Sequence, residues 1–183
     1  MRWLAALLTA AALAGCGGTA STSAFGETTL ALGPEPSADE AGVYLATERD
    51  YDGGEGVELE LTREGPADFR LVARPPAGCV AVLAVVRPAK LVLCADEVTL
   101  REERAKVVAV ARGLARGYLQ AQREPDEAVE AMLTQVPGLD RDELSAQVDD
   151  AVATWTAGAR YFGELAPGPG RDPSVAADAA TGP

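Results

Sequence analysis

Apolar and polar positions alternate in two regimes along this chain, with the change near residue 99. Before it, short apolar runs are separated by Gly- and Pro-rich breaks. Residues 28–32 read as a strand, stopped by Gly33-Pro34-Glu35-Pro36. Ser37 then opens a helix, with Glu40 three residues on completing a capping box. Ala41, Tyr44 and Leu45 form the inward face of that helix, which fades around Asp50. Asp52-Gly53-Gly54-Glu55-Gly56 is a turn, and residues 57–61 alternate as a second strand. Strand, helix, strand with short connections predicts a βαβ unit and a parallel pair. Residues 69–73 are a third candidate strand, and the apolar run 80–86 suits the centre of a sheet. A turn at Arg87-Pro88-Ala89-Lys90 and a strand at 91–93 follow.

From Thr99 the period becomes helical. Thr99 with Glu102 reads as a second capping box, and Val107, Val110, Ala111, Leu114 and Tyr118 fall on one face. Glu124-Pro125 ends that helix, and Pro125 suits the first position of the next, whose apolar side is Ala128, Val129, Met132 and Leu133. Pro137-Gly138 breaks it. Asp140 with Glu143 caps a third helix, along which Leu144, Val148, Val152 and Trp155 continue the stripe. The class is α/β, three to five strands flanked by helices, with no internal repeat.

The amino terminus stands apart. Arg2 and the apolar stretch 4–14 are too short for a bilayer span of about 20 residues and suit a signal peptide over residues 1–15. Leu13-Ala14-Gly15-Cys16 closes it as a lipobox, the pattern of bacterial lipoproteins, in which the cysteine thiol takes a diacylglycerol and two acyl chains anchor the protein firmly. The alternative is an ordinary secretory signal with an incidental cysteine. Residues 16–26 (Gly, Ser, Thr, Ala) make a flexible tether, residues 27–165 the folded domain, and the Pro/Gly/Ala/Asp-rich stretch 166–183 a disordered tail. The location implied is the extracytoplasmic face of a cell membrane.

Charge and cysteines narrow the functions. With 28 acidic and 16 basic residues, net −12, the chain is unsuited to nucleic acid, which is bound by neutralising phosphates. Cys79 and Cys94 would be expected to oxidise together outside the cytoplasm. A hairpin centred between Val86 and Arg87 sets them opposite one another, at a cross-strand spacing a disulfide tolerates. Two free buried thiols remain the other reading. Histidine is absent, which removes the commonest general base and metal ligand together. The acidic clusters have plain explanations: Glu102-Glu103 lies in a helix first turn, and Asp149-Asp150 on a solvated face. Gly53-Gly54-Glu55-Gly56 lacks the spacing of a phosphate cradle. No catalytic residues, metal site or cofactor are therefore expected.

The order of motifs resembles one family. Leu30-Ala31-Leu32, Pro36, Ala41-Gly42-Val43-Tyr44-Leu45-Ala46, Tyr51 and the strand from Gly56 to Leu61 resemble the amino-terminal signature of the solute-binding proteins of ABC importers for thiamine-pyrimidine precursors, alkanesulfonates and related small molecules. Ala67-Asp68-Phe69 and the Val-rich run into Arg87-Pro88 are similar to their next strands. In the carboxyl half, Leu114-Ala115-Arg116-Gly117-Tyr118, Pro125-Asp126-Glu127-Ala128-Val129, Pro137-Gly138-Leu139-Asp140 and Phe162-Gly163-Glu164-Leu165 follow the family's order. The resemblance implies one lobe of a type II periplasmic-binding-protein-like fold, a small-molecule solute, and an ABC permease as partner.

The departures matter as much. Family members have two lobes, the first built from both ends of the chain and the second from its middle. Here the middle is missing, and a helix between the second and third strands is lost as well. The pyrimidine-binding branch carries an acidic residue, a tryptophan and a histidine where this chain has Gly33, Pro34 and Glu40. Pro36 and Tyr44 remain, with Asp39, Glu40 and Asp68 near the expected ligand rim. Each of three has a plainer role open to it: packing for Tyr44, a strand-end turn for Asp68, capping for Glu40. Two other functions compete: a surface interaction lipoprotein that reuses the scaffold to bind a protein partner, and a decayed remnant.

Overall fold

The computed structural model describes residues 24–86 and 91–182. The expected signal peptide, Cys16, most of the tether and the turn at Arg87-Pro88-Ala89-Lys90 lie outside the described residues. The fold is α/β, a single lobe in which a five-stranded mixed sheet is flanked by helices. The strands are β1 (Glu27–Ala31), β2 (Glu58–Thr62), β3 (Phe69–Val72), β4 (Cys79–Val86) and β5 (Leu91–Asp96), in the order β2-β1-β3-β5-β4. β1 pairs in parallel with β2 and β3, whereas β5 runs antiparallel to β3 and β4.

The first helix, α1 (Ala41–Glu48), follows a turn of 3-10 helix and links β1 to β2, so the βαβ unit forms as its pattern predicts. Six residues then take the chain from β2 to β3, fewer than a parallel crossover normally needs. They suffice because β3 overlaps β1 only at Leu30–Phe69 and Ala31–Arg70 and runs on past its end. After β5 come α2 (Glu97–Glu102), α3 (Arg104–Arg123), α4 (Pro125–Gln135), α5 (Arg141–Trp155) and α6 (Pro173–Thr181). Pro125 starts α4, and Asp140 caps α5 by accepting from Glu143 N at 2.9 Å. The stripe Val107, Val110, Ala111, Leu114 and Tyr118 is wholly buried.

The core divides by sheet face. Leu30, Phe69, Leu71, Val82, Val85, Leu93 and Ala95 join the helices in one large cluster. Among the described residues the other face carries a small cluster, Ala81, Ala84 and Val92 under Leu165, with Val72 beside it. The tightest helix crossing is α1 on α3, where Gly117 faces the backbone of Gly42. A Cβ on Gly117 would come within 2.2 Å of the Gly42 carbonyl oxygen. Tyr118, next along α3, packs edge-on to Trp155 (4.9 Å between ring centres) and is stacked on Phe162 at 5.1 Å.

Several expectations need correction. The run at 80–86 is an edge strand, not the sheet centre. It is apolar because its outer side is covered: Ala84 N donates to Gly163 O at 3.1 Å, and Ala81 N to Gly170 O at 2.9 Å. The stretch 166–182 is no disordered tail. It runs along β4 and forms α6, whose Val175, Ala176 and Ala179 are buried. The start of the fold is also earlier than Glu27, since Phe25 N donates to Gly56 O at 2.9 Å. Asp96, not Thr99, caps the helix after β5, accepting from Val98 N at 2.8 Å.

The disulfide between Cys79 and Cys94 is present, with Cα atoms 5.7 Å apart. The two cysteines are not directly opposite: Cys79 pairs with Asp96 and Cys94 with Ala81, so the bridge joins the strands on the diagonal. Register shifts between Ala81 and Leu83 and between Ala84 and Val86 separate this register from the simple hairpin.

Candidate functional site

Two of the residues that the sequence singles out, Glu40 and Tyr44, meet where β1 and β2 end. β1 leaves the sheet at Ala31, and the loop through Gly33 and Pro36 leads into the 3-10 turn Ala38–Glu40. Ser37 caps that turn by accepting from Asp39 N at 3.2 Å. Glu40 takes no part in a capping box. Its side chain points inward instead, only 4% exposed, and its Oε1 accepts from Gly33 N at 2.9 Å.

A buried carboxylate needs a cation or several donors, because losing water costs it heavily. The cation is Arg63, just past β2, whose Nη2 lies 2.8 Å from Glu40 Oε2. The same guanidinium also donates to the Gly33 carbonyl and to the Tyr44 hydroxyl. Burial alone would weaken the proton affinity of Arg63; the Glu40 hydrogen bond and charge outweigh it and the affinity is raised. Burial likewise raises Tyr44 above the ordinary phenol value, which keeps its hydroxyl protonated at neutral pH. Glu40, Arg63, Tyr44 and Gly33 thus lock the loop after β1 to the end of β2.

This lock borders an open cavity of about 560 Å³ lined by Leu32, Tyr44, Leu61, Arg63, Gln135 and Pro137. Gln135 reaches from the end of α4 to donate to the Tyr44 carbonyl at 3.1 Å. The wall mixes apolar surface with the Arg63 guanidinium, the Gln135 amide, the Glu60 carboxylate and the hydroxyls of Thr47 and Thr62, a combination suited to a small polar organic molecule.

Set against known proteins, the chain matches no family model and no curated sequence. The site therefore rests on its own geometry.

The five expected rim residues are not brought together. Glu40 and Tyr44 meet at Arg63. Pro36 is exposed and lines a separate cavity of about 310 Å³ beside Met132, Leu139 and Asp140. Asp39 is half-buried; its backbone carbonyl accepts from the Tyr118 hydroxyl at 2.7 Å, which ties the 3-10 turn before α1 to α3. Asp68 sits at the start of β3, where its Oδ2 accepts from Thr29 N at 3.0 Å and Thr29 Oγ1 at 3.1 Å. It fixes β3 to β1 and opens onto a third cavity, of about 580 Å³. The Glu40 carboxylate is held by Arg63.

Arg63 is the residue that the sequence did not mark. It follows a strand in a polar stretch like many surface arginines, and its partner lies 23 positions away. The one available signal was Glu40 itself, one helical turn before the inward-facing Tyr44. Among the described residues, no group of three or more His, Cys, Asp or Glu is placed to hold a metal ion, and no helix is long and apolar enough to cross a membrane.

Proposed function

We propose that this chain is a lipid-anchored, extracytoplasmic solute-binding protein of an ABC importer, or a truncated derivative of one, reduced to a single lobe. Cys16 carries the lipid, an ABC permease is the partner, and the solute is a small organic molecule of the thiamine-pyrimidine-precursor or alkanesulfonate kind.

The observation that carries this reading is how β5 enters the sheet. β1, β2, β3 and β4 all run one way, and β5 runs against them, inserted between β3 and β4. The chain leaves the sheet after β4 and re-enters beside it, which is how a lobe assembled from both ends of a chain is closed after its middle has gone. In a two-lobed receptor that junction is where the second lobe is attached. The cavity beside Tyr44, Arg63 and Gln135 borders the carboxyl ends of β1 and β2, the end of an α/β sheet where ligands collect. The rival reading, a lipoprotein that docks a protein, expects an exposed apolar patch. Among the described residues the large exposed hydrophobics are Phe25, Val98 and Leu119, on separate elements, which gives that reading no support.

One lobe covers a solute on one side only, whereas small-molecule sites usually bury about 70–90% of the ligand. Binding is therefore weak. Calorimetry of the purified chain with formylaminopyrimidines, alkanesulfonates and taurine should give saturable heat in the millimolar range, lost in Arg63→Met. No heat at millimolar ligand sinks the solute-binding reading. Metabolic labelling with palmitate tests the anchor: incorporation that persists in Cys16→Ser would refute it.

A further inference from the structure

The sheet face away from the helices holds a second arrangement, unrelated to the Tyr44 cavity. β3 and β4 are parallel and flank β5, so the chain between them must cross β5. A helix normally makes such a crossover. Here residues 73–78 do it as an exposed strap containing Pro75 and Pro76. The strap leaves a cavity of about 580 Å³ between itself and the sheet, walled by Asp68, Arg70, Val72, Arg74, Pro76 and Cys79.

Two arginines share that cavity. Arg70 projects from the helix-free face of β3, opposite Cys94 in the register, and Arg74 lies on the strap. Most other described arginines of this acidic chain are held by carboxylates, among them Arg49 by Glu127, Arg63 by Glu40, Arg104 by Asp172, Arg112 by Glu55 and Arg141 by Glu130. Among the described residues, Arg70 and Arg74 have no ion pair and no side-chain hydrogen bond. The acids of the same wall are committed to other donors: Asp68 to Thr29, and Asp96 to the Val98 backbone at 2.8 Å.

We propose that Arg70 and Arg74 form a binding site for a small organic anion, one carrying a carboxylate, sulfonate or phosphate group. Guanidinium forks match the oxygens of such groups and bind them by charge-assisted hydrogen bonds. Val72, Pro76, Ala77 and the disulfide supply an apolar wall for the rest of the molecule. The volume lies in the range of small-molecule pockets, about 300–1,000 Å³. This site goes beyond the importer reading and does not depend on it.

The test is a titration of the isotopically labelled chain with inorganic phosphate and with benzenesulfonate, followed by nuclear magnetic resonance. Saturable shifts of the backbone amides at 70–79 and of the Arg70 and Arg74 side-chain Nε–H groups are expected. Affinity should fall at least ~10-fold in the double variant Arg70→Gln/Arg74→Gln, which loses two charge-assisted partners. Arg123→Gln, removing another arginine without an ion pair among the described residues, should leave affinity unchanged. Shifts clustered around Tyr44 and Arg63, no saturation at high millimolar anion, or equal affinity in the double variant would each overturn the proposal. If the double variant fails to fold, the map of shifts in the unsubstituted chain decides the matter alone. Failure of the pyrimidines and alkanesulfonates to bind beside Arg63 would leave this outcome untouched.

Discussion

Replacing Gly117 by alanine should destabilise the protein, against the usual preference of helices for alanine. Gly117 lies inside α3 where that helix crosses α1. An added Cβ would stand 2.2 Å from the Gly42 carbonyl oxygen, 2.6 Å from the Ala46 Cβ and 2.9 Å from the Ala46 nitrogen. All three are fixed to the backbone of α1, so no side-chain rotation relieves the contact. Ordinary separation requires the helices to part by about 1 Å. Close-packed interiors resist that, and overpacking typically costs about 1–3 kcal/mol; clashes with three backbone-fixed atoms belong at the upper end. The intrinsic gain from glycine to alanine in a helix offsets about 1 kcal/mol. The net loss is therefore about 2 kcal/mol, a sizeable fraction of a domain's stability of about 5–15 kcal/mol.

Parting the helices would also loosen Tyr118, whose ring already leaves no room for a Cβ on Gly42: the contact would be 2.4 Å. Gly42→Ala should consequently be destabilising too. The double variant should lose less than the sum, because one separation accommodates both. Urea denaturation read by tryptophan fluorescence measures this through a shifted midpoint at unchanged slope. Gly54→Ala serves as control. There the nearest atom is Arg116 Nη1 at 3.5 Å, and the change should stay within about 0.5 kcal/mol. A Gly117→Ala variant as stable as the original chain, or more so, would show that the crossing has slack and refute the reasoning.

Four further outcomes are expected. Converting both Cys79 and Cys94 to serine should cost about 3 kcal/mol, since the bridge closes a loop of separation 15; a reductant-independent urea midpoint in the original chain would contradict this. Arg63→Met should cost about 2–4 kcal/mol by stranding the Glu40 carboxylate, and adding Glu40→Gln should recover at least half in a double-mutant cycle. Val175→Asp should cost at least ~3 kcal/mol by burying a charge under α6; a surface-like effect in thermal melts would favour a loose tail. Burial raises the Asp52 carboxyl above the ordinary value, against the hydrogen bond from Leu59 N. A folded-state acid so shifted binds protons more readily than the unfolded chain, so its contribution to stability falls as pH rises through that raised value. Asp52→Asn keeps an acceptor for Leu59 N and should gain on the original chain as pH rises above the ordinary carboxyl value of about 4. A difference in melting temperature that does not change with pH would count against it.

What was legible in the sequence was what short-range chemistry determines. Pro125 at a helix start, Asp140 three residues before Glu143, and the buried stripe from Val107 to Tyr118 all depend on neighbours within a turn or two. The features that escaped depend on distant parts of the chain. An apolar run such as 79–86 reads the same whether a strand or a loop covers its outer side, and here the covering backbone comes from Gly163 and Gly170. Glu40 carries the local pattern of a capping residue, yet Arg63 decides its role. The carboxyl-terminal helix did leave a trace: Asp172-Pro173 repeats the logic of an N-cap with proline behind it, and Asp172 caps α6 by accepting from Ser174 N at 3.0 Å. Its alanine-rich composition hid it, because small residues bury themselves without making an apolar stripe.

That helix bears on how one lobe can stand alone. An open sheet has two edges, each a template for pairing with another chain unless it is blocked. On β4 the segment before α6 does the blocking, taking up Ala81 through Gly170 and Asp172, and Ala84 through Gly163. On β2 the Asp52 carboxylate caps Leu59 N at 2.9 Å, and Glu58 and Glu60 add exposed negative charge. Both edges are therefore dealt with inside the chain. Arg104 fastens the arrangement by bridging Asp172 and Asp178 across α6. The carboxyl-terminal stretch is thus a structural part of the lobe: removing it would expose the edge of β4 and strip a buried face from α3. A chain shortened to end at Leu165 should consequently aggregate through β4, whereas one shortened before Phe25 should keep its sheet intact.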